Sequence, residues 1–547
     1  MDEKKDGGVK KPFYENIASR RKRSDNPARA GSRPRTGTGT GTGVNAGENR
    51  ARDGAKGESR PRIEGERPRD GDRAQRSAPG RSRDDRPGHR DAARSDSRDK
   101  PRAPRKTFMA PRELEPVFKK LLPETRSLLD AFPEIVQSVM PLDSKRLQQL
   151  PGEIRELSHS LTDERGDRRV GYMNEPSVIG AYVRYYMWWN LVRLTRVLSG
   201  LPLALNDGDA AVDLGSGPLT LPIALWMSRP ELRDRKLTWY CVDISQGALA
   251  AGEELFLSLA ARTGNEPWKI VRIKGECGVS LRRRVSFVAS ANMFNELFWD
   301  NPAPLEQQVK HHASELVSYA ESDASILIVE PGVPRAGRFI SLMRDALIRS
   351  GFSVSTPCPH ELSCPFPGLR TGKWCHFVFD TTDAPTKLHK LSEDAGLAKD
   401  RAALSFVFAE RKALARSTDG DGEGDDAVAL PDGASVAQPS AGGTSSVSSV
   451  GKAAAGGAVD SLSMVSRMAG LFPDLRVRIT SDTIKLPDYY IGRYGCSELG
   501  MVMLMGTYGA ADYLKGCHSG SLVEVPMPDR KRAERDQKTG AIIIRLQ

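Results

Sequence analysis

The chain has 547 residues, seven cysteines and a formal net charge of +11. Residues 1–106 hold 30 Lys+Arg against 17 Asp+Glu, a net +13, which leaves 51 against 53, a net −2, for the remainder; the basic excess therefore belongs to the N-terminal stretch alone. No apolar run approaches the roughly 18 to 20 residues that span a bilayer, no apolar secretory core opens the chain, and Asp2, Glu3 and Asp6 argue against an acid-poor transit peptide. We therefore expect a cytoplasmic protein, with its thiols in a reducing compartment where clusters bind metal rather than pair as disulfides.

Residues 1–106 are rich in Arg, Asp, Gly, Pro and Ser and carry a Thr-Gly repeat over residues 36–43. Almost nothing apolar is available there to offset the entropy of ordering, so a disordered basic arm is expected. Arg20, Arg21, Lys22 and Arg23 are its densest cationic point, suited to sequence-independent phosphate contacts with RNA; a solubilising tail is the alternative.

Residues 107–205 read as a helical N-terminal region, with short helices punctuated by Pro123, Pro133 and Pro141. Its strongest segment is residues 177–198, expected as one helix. The aromatic residues Tyr182, Tyr185, Tyr186, Trp188 and Trp189 spread around most of its circumference, which favours packing against the next domain over base stacking.

Residues 206–411 alternate strands and helices, the signature of a doubly wound sheet. Strands are expected at 210–214, 237–242, 270–273, 285–289, 326–330, 352–355 and 403–409, with helices at 219–227, 246–261, 303–322 and 336–349. Seven strands make a full Rossmann-like, class I methyltransferase sheet. The first strand runs into A-V-D-L-G-S-G-P-L-T, where Gly215 and Gly217 let the backbone pass close to a ligand. Asp213, Gly215, Ser216 and Gly217 are the expected cofactor loop, and Asp243, ending the second strand, the acid for two ribose hydroxyls. The dinucleotide spacing G-x-G-x-x-G is absent, which favours S-adenosylmethionine. Asn292 and Asn295 follow the fourth strand at the same sheet edge; Asn292 is taken for the cofactor site, with capping of the next turn as the competing role. Glu330, Pro331 and Gly332 follow the fifth strand there too.

Between the sixth and seventh strands lies a cysteine-rich insertion, residues 356–378, with Cys358, Cys364 and Cys375. Its prolines and glycines rule out a helix or central strand, so a bound metal is expected to fix its backbone. The spacing C-x5-C-x10-C lacks the C-x2-C knuckle of many zinc sites, and Cys-Pro pairs accompany iron–sulfur sequences, while His360 and His376 keep a mixed zinc site open. The fourth ligand must come from elsewhere. Residues 412–460, rich in Gly, Ser, Ala and Asp, are expected as a flexible linker, and residues 461–547 as a small β-rich C-terminal module holding Cys496 and Cys517. No N-P-P-Y or D-P-P-Y tetrapeptide follows the fourth strand, so the usual base-amine chemistry has no carrier. The Pro357-Cys358 pair is similar to that of 5-methylcytosine enzymes, but its place after the sixth strand favours ligation.

Together D-L-G-S-G-P, A-S-A-N-M-F-N-E-L, V-E-P-G, P-C-P-H-x3-C-P and W-C-H-F resemble the methyltransferase-like family associated with the small ribosomal subunit, named for mitochondrial members and present in bacteria. The resemblance covers roughly residues 165–411 and, more weakly, 470–506. It implies a four-iron, four-sulfur cluster on Cys358, Cys364, Cys375 and Cys496, with Cys517 as the runner-up for the fourth position. It also implies binding to small-subunit rRNA, as an rRNA methyltransferase or as a noncatalytic assembly or translation factor. Leu219 stands where the family usually has a third glycine, and a side chain there is expected to crowd the methionine end of the cofactor. The oligomeric state and any modified nucleotide are left open.

Overall fold

The computed structural model describes residues 108–162, 172–366, 372–411, 474–528 and 533–547. The expected arm at 1–106 and linker at 412–460 lie outside the described residues.

The described chain opens with strand β1 (Arg112–Glu113) and helices α1 (Pro123–Asp130), α2 (Phe132–Val139) and α3 (Ser144–Thr162). Pro123 and Pro133 each sit in a first turn, where a missing N–H costs nothing. The expected single helix at 177–198 is interrupted: α4 (Pro176–Ala181) passes through a π-helical turn at Tyr182–Met187 into α5 (Trp188–Leu198). Tyr185, Trp188 and Trp189 are buried. Trp188 donates to the Leu129 carbonyl and Trp189 to Ser392 Oγ, so these rings pack rather than stack bases.

The α/β domain follows as β2 (Ala210–Leu214), α6 (Thr220–Ser228), β3 (Thr238–Asp243), α7 (Gln246–Thr263), β4 (Lys269–Lys274), β5 (Val285–Ala291), α8 (Phe294–Asp300), α9 (Leu305–Tyr319), β6 (Ala320–Pro331), α10 (Pro334–Arg349), β7 (Phe352–Thr356), β8 (Phe377–Asp380), α11 (Thr386–Asp394) and β9 (Arg401–Arg411). The sheet order is β4-β3-β2-β5-β6-β9-β7, parallel from β4 through β6, with β9 running antiparallel between β6 and β7. This is the class I methyltransferase topology. An eighth strand, β8, pairs with β9; its Phe-Val-Phe-Asp was too short and too close to the cysteine insertion to be read as a strand. Helices α1–α7 cover one face of the sheet and α9–α10 the other, with a hydrophobic core on each side.

The C-terminal residues form β10 (Asp474–Ile479), β11 (Ile484–Lys485), β12 (Ile491–Ser497), β13 (Gly500–Gly506), α12 (Tyr508–Gly516), β14 (Leu522–Pro526) and β15 (Ile542–Arg545). They make a second sheet in the order β1-β14-β10-β12-β13-β15, so the N-terminal residues Arg112 and Glu113 complete an edge of the C-terminal module. Alternation divides β13 cleanly: Val502 and Leu504 enter one core, while Met501, Met503 and Met505 join Cys496 and Tyr494 on the face that meets the cysteine insertion.

Candidate cofactor pocket and cysteine centre

The strand order reverses at β2, and the crevice outside the carboxyl ends of β2 and β5 is where such sheets take ligands. Gly215 and Gly217 hold φ of +66° and +53°, a region costly to residues with a Cβ, and the space a Cβ would occupy at Gly217 is open. Asp243 Oδ2 accepts from Gly217 N at 2.9 Å and Oδ1 from Ser245 N at 2.8 Å, which fixes the carboxylate against the loop and leaves each oxygen further acceptor capacity. Asp213 is buried beneath the loop, where its Oδ2 accepts from Ser216 Oγ at 2.7 Å. Burial pushes the Asp213 carboxyl up to about 7, against that hydrogen bond. Asp213 and Ser216 thus shape the loop from below. Asn292 lines the same pocket in a left-handed conformation, φ +64°, with its N–H on the Val329 carbonyl. Asn295 instead starts α8: with Phe294 it donates its amide to the buried Glu330 carboxylate, at 2.9 and 3.0 Å.

Tyr182, Asn190, Thr220, Leu221 and Ala291 line the pocket beyond the residues expected there, and the first two come from outside the α/β domain, from the π-turn and α5. They join Asp213, Gly215, Ser216, Gly217 and Asn292. A tyrosine at a π-turn is a signal that appears only once the turn is seen. Leu219 corrects its expected role. Its side chain lies against Gly252 of α7, so close that a Cβ on Gly252 would stand 2.7 Å from Leu219 Cδ1, and it does not line the pocket. The residue crowding the glycine loop is Met293, whose side chain covers Gly215.

At the far edge of the sheet, Cys358 leaves β7, Cys364 and Cys375 sit on the insertion, and Cys496 ends β12. Cys364, Cys375 and Cys496 share one packed cluster with Phe366. Burial raises all four thiols, Cys358 to about 11 even though Arg344 beside it acts in the opposite sense. Arg344, on the buried side of α10, donates from Nε to Cys358 Sγ at 3.3 Å and from Nη2 to the His360 carbonyl at 2.7 Å. Arg478 of β10 donates to the carbonyls of Pro357, Glu115 and Gly520 at 2.8, 2.9 and 2.7 Å, and Arg476 to that of Pro359 at 3.1 Å. Ser341 Oγ stands 3.4 Å from Cys364 Sγ. Two guanidiniums beside four thiols suit a centre that binds as thiolates and carries net negative charge.

His360 is buried, with Nε2 3.2 Å from Cys496 Sγ and Nδ1 lacking a partner among the described residues. His376 belongs elsewhere: Nδ1 is 3.1 Å from its near neighbour, the Trp374 carbonyl, and its ring stacks on Trp374 at 4.6 Å. Cys517, the alternative fourth ligand, is buried beyond α12 next to Tyr513 and Arg493. Arg493 and Cys496 alternate to opposite faces of β12, so Cys517 lies across the sheet from the other thiols. Arg344 was legible in principle: it breaks the apolar stripe formed by Ile340, Met343 and Leu347 of α10.

Residues 178–425 match the family model described as mitochondrial small ribosomal subunit Rsm22. That span runs from α4 through the glycine loop and three of the four thiols to β9. Among curated proteins no sequence relative matches. Solved structures similar to the chain include an S-adenosylmethionine-dependent methyltransferase from Geobacter sulfurreducens in complex with S-adenosyl-L-homocysteine, at 13% identity over 47% of this chain and 98% of that one, TM-score 0.25. Another is a methyltransferase from Aquifex aeolicus, at 16% identity over 48% and 97%, TM-score 0.23. A putative class I enzyme from Listeria monocytogenes is 12% identical over 54% and 83%, TM-score 0.25. The fold rests on the strand order, not on these likenesses. No described helix is long and apolar enough to cross a membrane.

Proposed function

We propose that this chain is an S-adenosylmethionine-binding, iron–sulfur-cluster-bearing factor that acts on the small ribosomal subunit. The observation that carries the reading is that Cys364 and Cys375 of the insertion pack in one cluster with Cys496 of β12, while Arg344 donates to Cys358 Sγ beside them. Cys358, Cys364, Cys375 and Cys496 would hold a four-iron, four-sulfur cluster through their thiolates, and these iron–thiolate bonds would fasten the C-terminal module to the α/β domain. A 3.2 Å approach of His360 to Cys496 supports the second reading, a zinc ion in a mixed thiolate–imidazole site. Iron and acid-labile sulfide in anaerobically purified protein are expected; stoichiometric zinc without iron would sink the cluster.

At the glycine loop, Asp243 would accept the ribose hydroxyls and Gly215, Ser216, Gly217 and Asn292 would lie along the ligand. The match to a ribosomal family supports rRNA of the small subunit as the partner, with the basic residues 1–106 adding phosphate contacts. Asp243→Ala should weaken S-adenosylmethionine binding by roughly 1.5 to 3 kcal/mol in calorimetry, since a charged acceptor is lost. Unchanged affinity would mean the pocket is wrongly assigned. A noncatalytic assembly or translation factor is the alternative, favoured by Met293 covering Gly215 of the loop. Transfer of labelled methyl groups to small-subunit rRNA separates the two.

A further inference from the structure

Remote from the four thiols, the loop between β4 and β5 meets the solvent end of α9. There Cys277, His312 and Glu315 each present one ligand atom, and these atoms all lie within 4.8 Å of one another. Cys277 Sγ is 3.4 Å from Glu315 Oε2, and His312 Nδ1 is 2.7 Å from the same oxygen. His311 follows at the rim, 69% exposed, with Nε2 3.3 Å from Glu315 Oε1.

We propose that Cys277, His312 and Glu315 form a second metal site, selective for a divalent transition ion of zinc type. Zinc bonds of about 2.0 to 2.3 Å place tetrahedral ligand atoms roughly 3.3 to 3.8 Å apart, a spacing these side chains reach by small rotations. One sulfur, one imidazole nitrogen and one carboxylate oxygen are a borderline-soft set that disfavours magnesium and calcium, both of which want oxygen alone.

The backbone is shaped for this approach. Gly278 holds φ +96°, and a Cβ there would stand 2.5 Å from Glu315 Oε1, so only glycine lets the carboxylate close on the loop. His312 and Glu315 are three apart on α9 and therefore share a face. Their side chains are 12% and 16% exposed, while His311 leaves an open side for entry and can swing in as a fourth ligand. Binding releases the Cys277 thiol proton to solvent and forms the sulfur–metal bond, tying the β4–β5 loop to α9.

The test is a cobalt titration of the full-length, cluster-loaded chain, read by thiolate-to-cobalt charge transfer. One cobalt per chain, displaced by zinc, is expected. Cys277→Ser should abolish the band, and His312→Ala should weaken binding by more than roughly tenfold; should Cys277→Ser fail to fold, the histidine variant carries the test. Iron and sulfide should stay constant through the titration of the parent, which separates this site from the proposed cluster. No cobalt binding by the parent, or a band that survives Cys277→Ser and vanishes in Cys358→Ser, overturns the proposal.

Discussion

His360 Nε2 stands 3.2 Å from Cys496 Sγ, across 136 positions of sequence and across the seam between two sheets. The seam has further fastenings. Arg478 is 5% exposed and donates across it to the Pro357 carbonyl, Arg401 pairs with Asp482, and Val378 N donates to Ser519 Oγ. The buried Arg478 bond contributes about 1.5 to 3 kcal/mol, while the exposed Arg401–Asp482 pair adds about 1 kcal/mol at most, so the C-terminal sheet is held by more than its thiol.

Cys496→Ser should therefore lose the metal centre while the module stays docked. Iron and sulfide should fall to background, with a lower but still cooperative thermal transition. Cys517→Ser, whose thiol lies beside Arg493 and Tyr513 on the other face of β12, should keep the iron. The reverse result would move the fourth ligand to Cys517.

Gly252→Ala tests the seat of the glycine loop. Helix propensity alone would make alanine better by about 1 kcal/mol in the middle of α7. A Cβ at this position, however, would stand 2.4 Å from the Pro218 carbonyl carbon, part of the backbone of the loop itself. We expect net destabilisation of about 1 to 3 kcal/mol and weaker cofactor binding. Urea unfolding that shows a gain in stability would remove this packing argument.

Glu330 gives stability a pH dependence of definite sign. Burial raises its carboxyl from 4.5 to about 8, against the two amides of Phe294 and Asn295 that favour the charged form. A carboxyl whose pKa is raised on folding stabilises most below the unfolded value, and that contribution is lost as pH climbs through the folded one. Stability should thus fall between about pH 4.5 and 8, and Glu330→Gln should flatten the decline, as denaturant titrations at several pH values would show. An unchanged slope in the variant would assign the dependence to other groups, such as Asp213.

What the sequence determined by itself is what depends on neighbours along the chain. The period-2 and period-3.6 patterns placed the main strands and four helices of the α/β domain within about two residues, except that β6 already begins at Ala320, inside the helix expected at 303–322, and the Gly215–Gly217 loop followed from a strand and a helix that flank it. The proline-rich spacing of Cys358, Cys364 and Cys375 marked them as a group, because a segment without regular structure needs something else to hold it. Tertiary structure decided what is brought together across long separations. Cys496 faces the other thiols rather than Cys517 because alternation along β12 turns it toward the insertion, a fact that register alone fixes. Arg112 and Glu113 join the C-terminal sheet, Leu219 turns to Gly252 instead of the ligand pocket, and Tyr182 reaches that pocket through a π-turn. Each depends on packing between segments distant in sequence, and no local pattern carries that information.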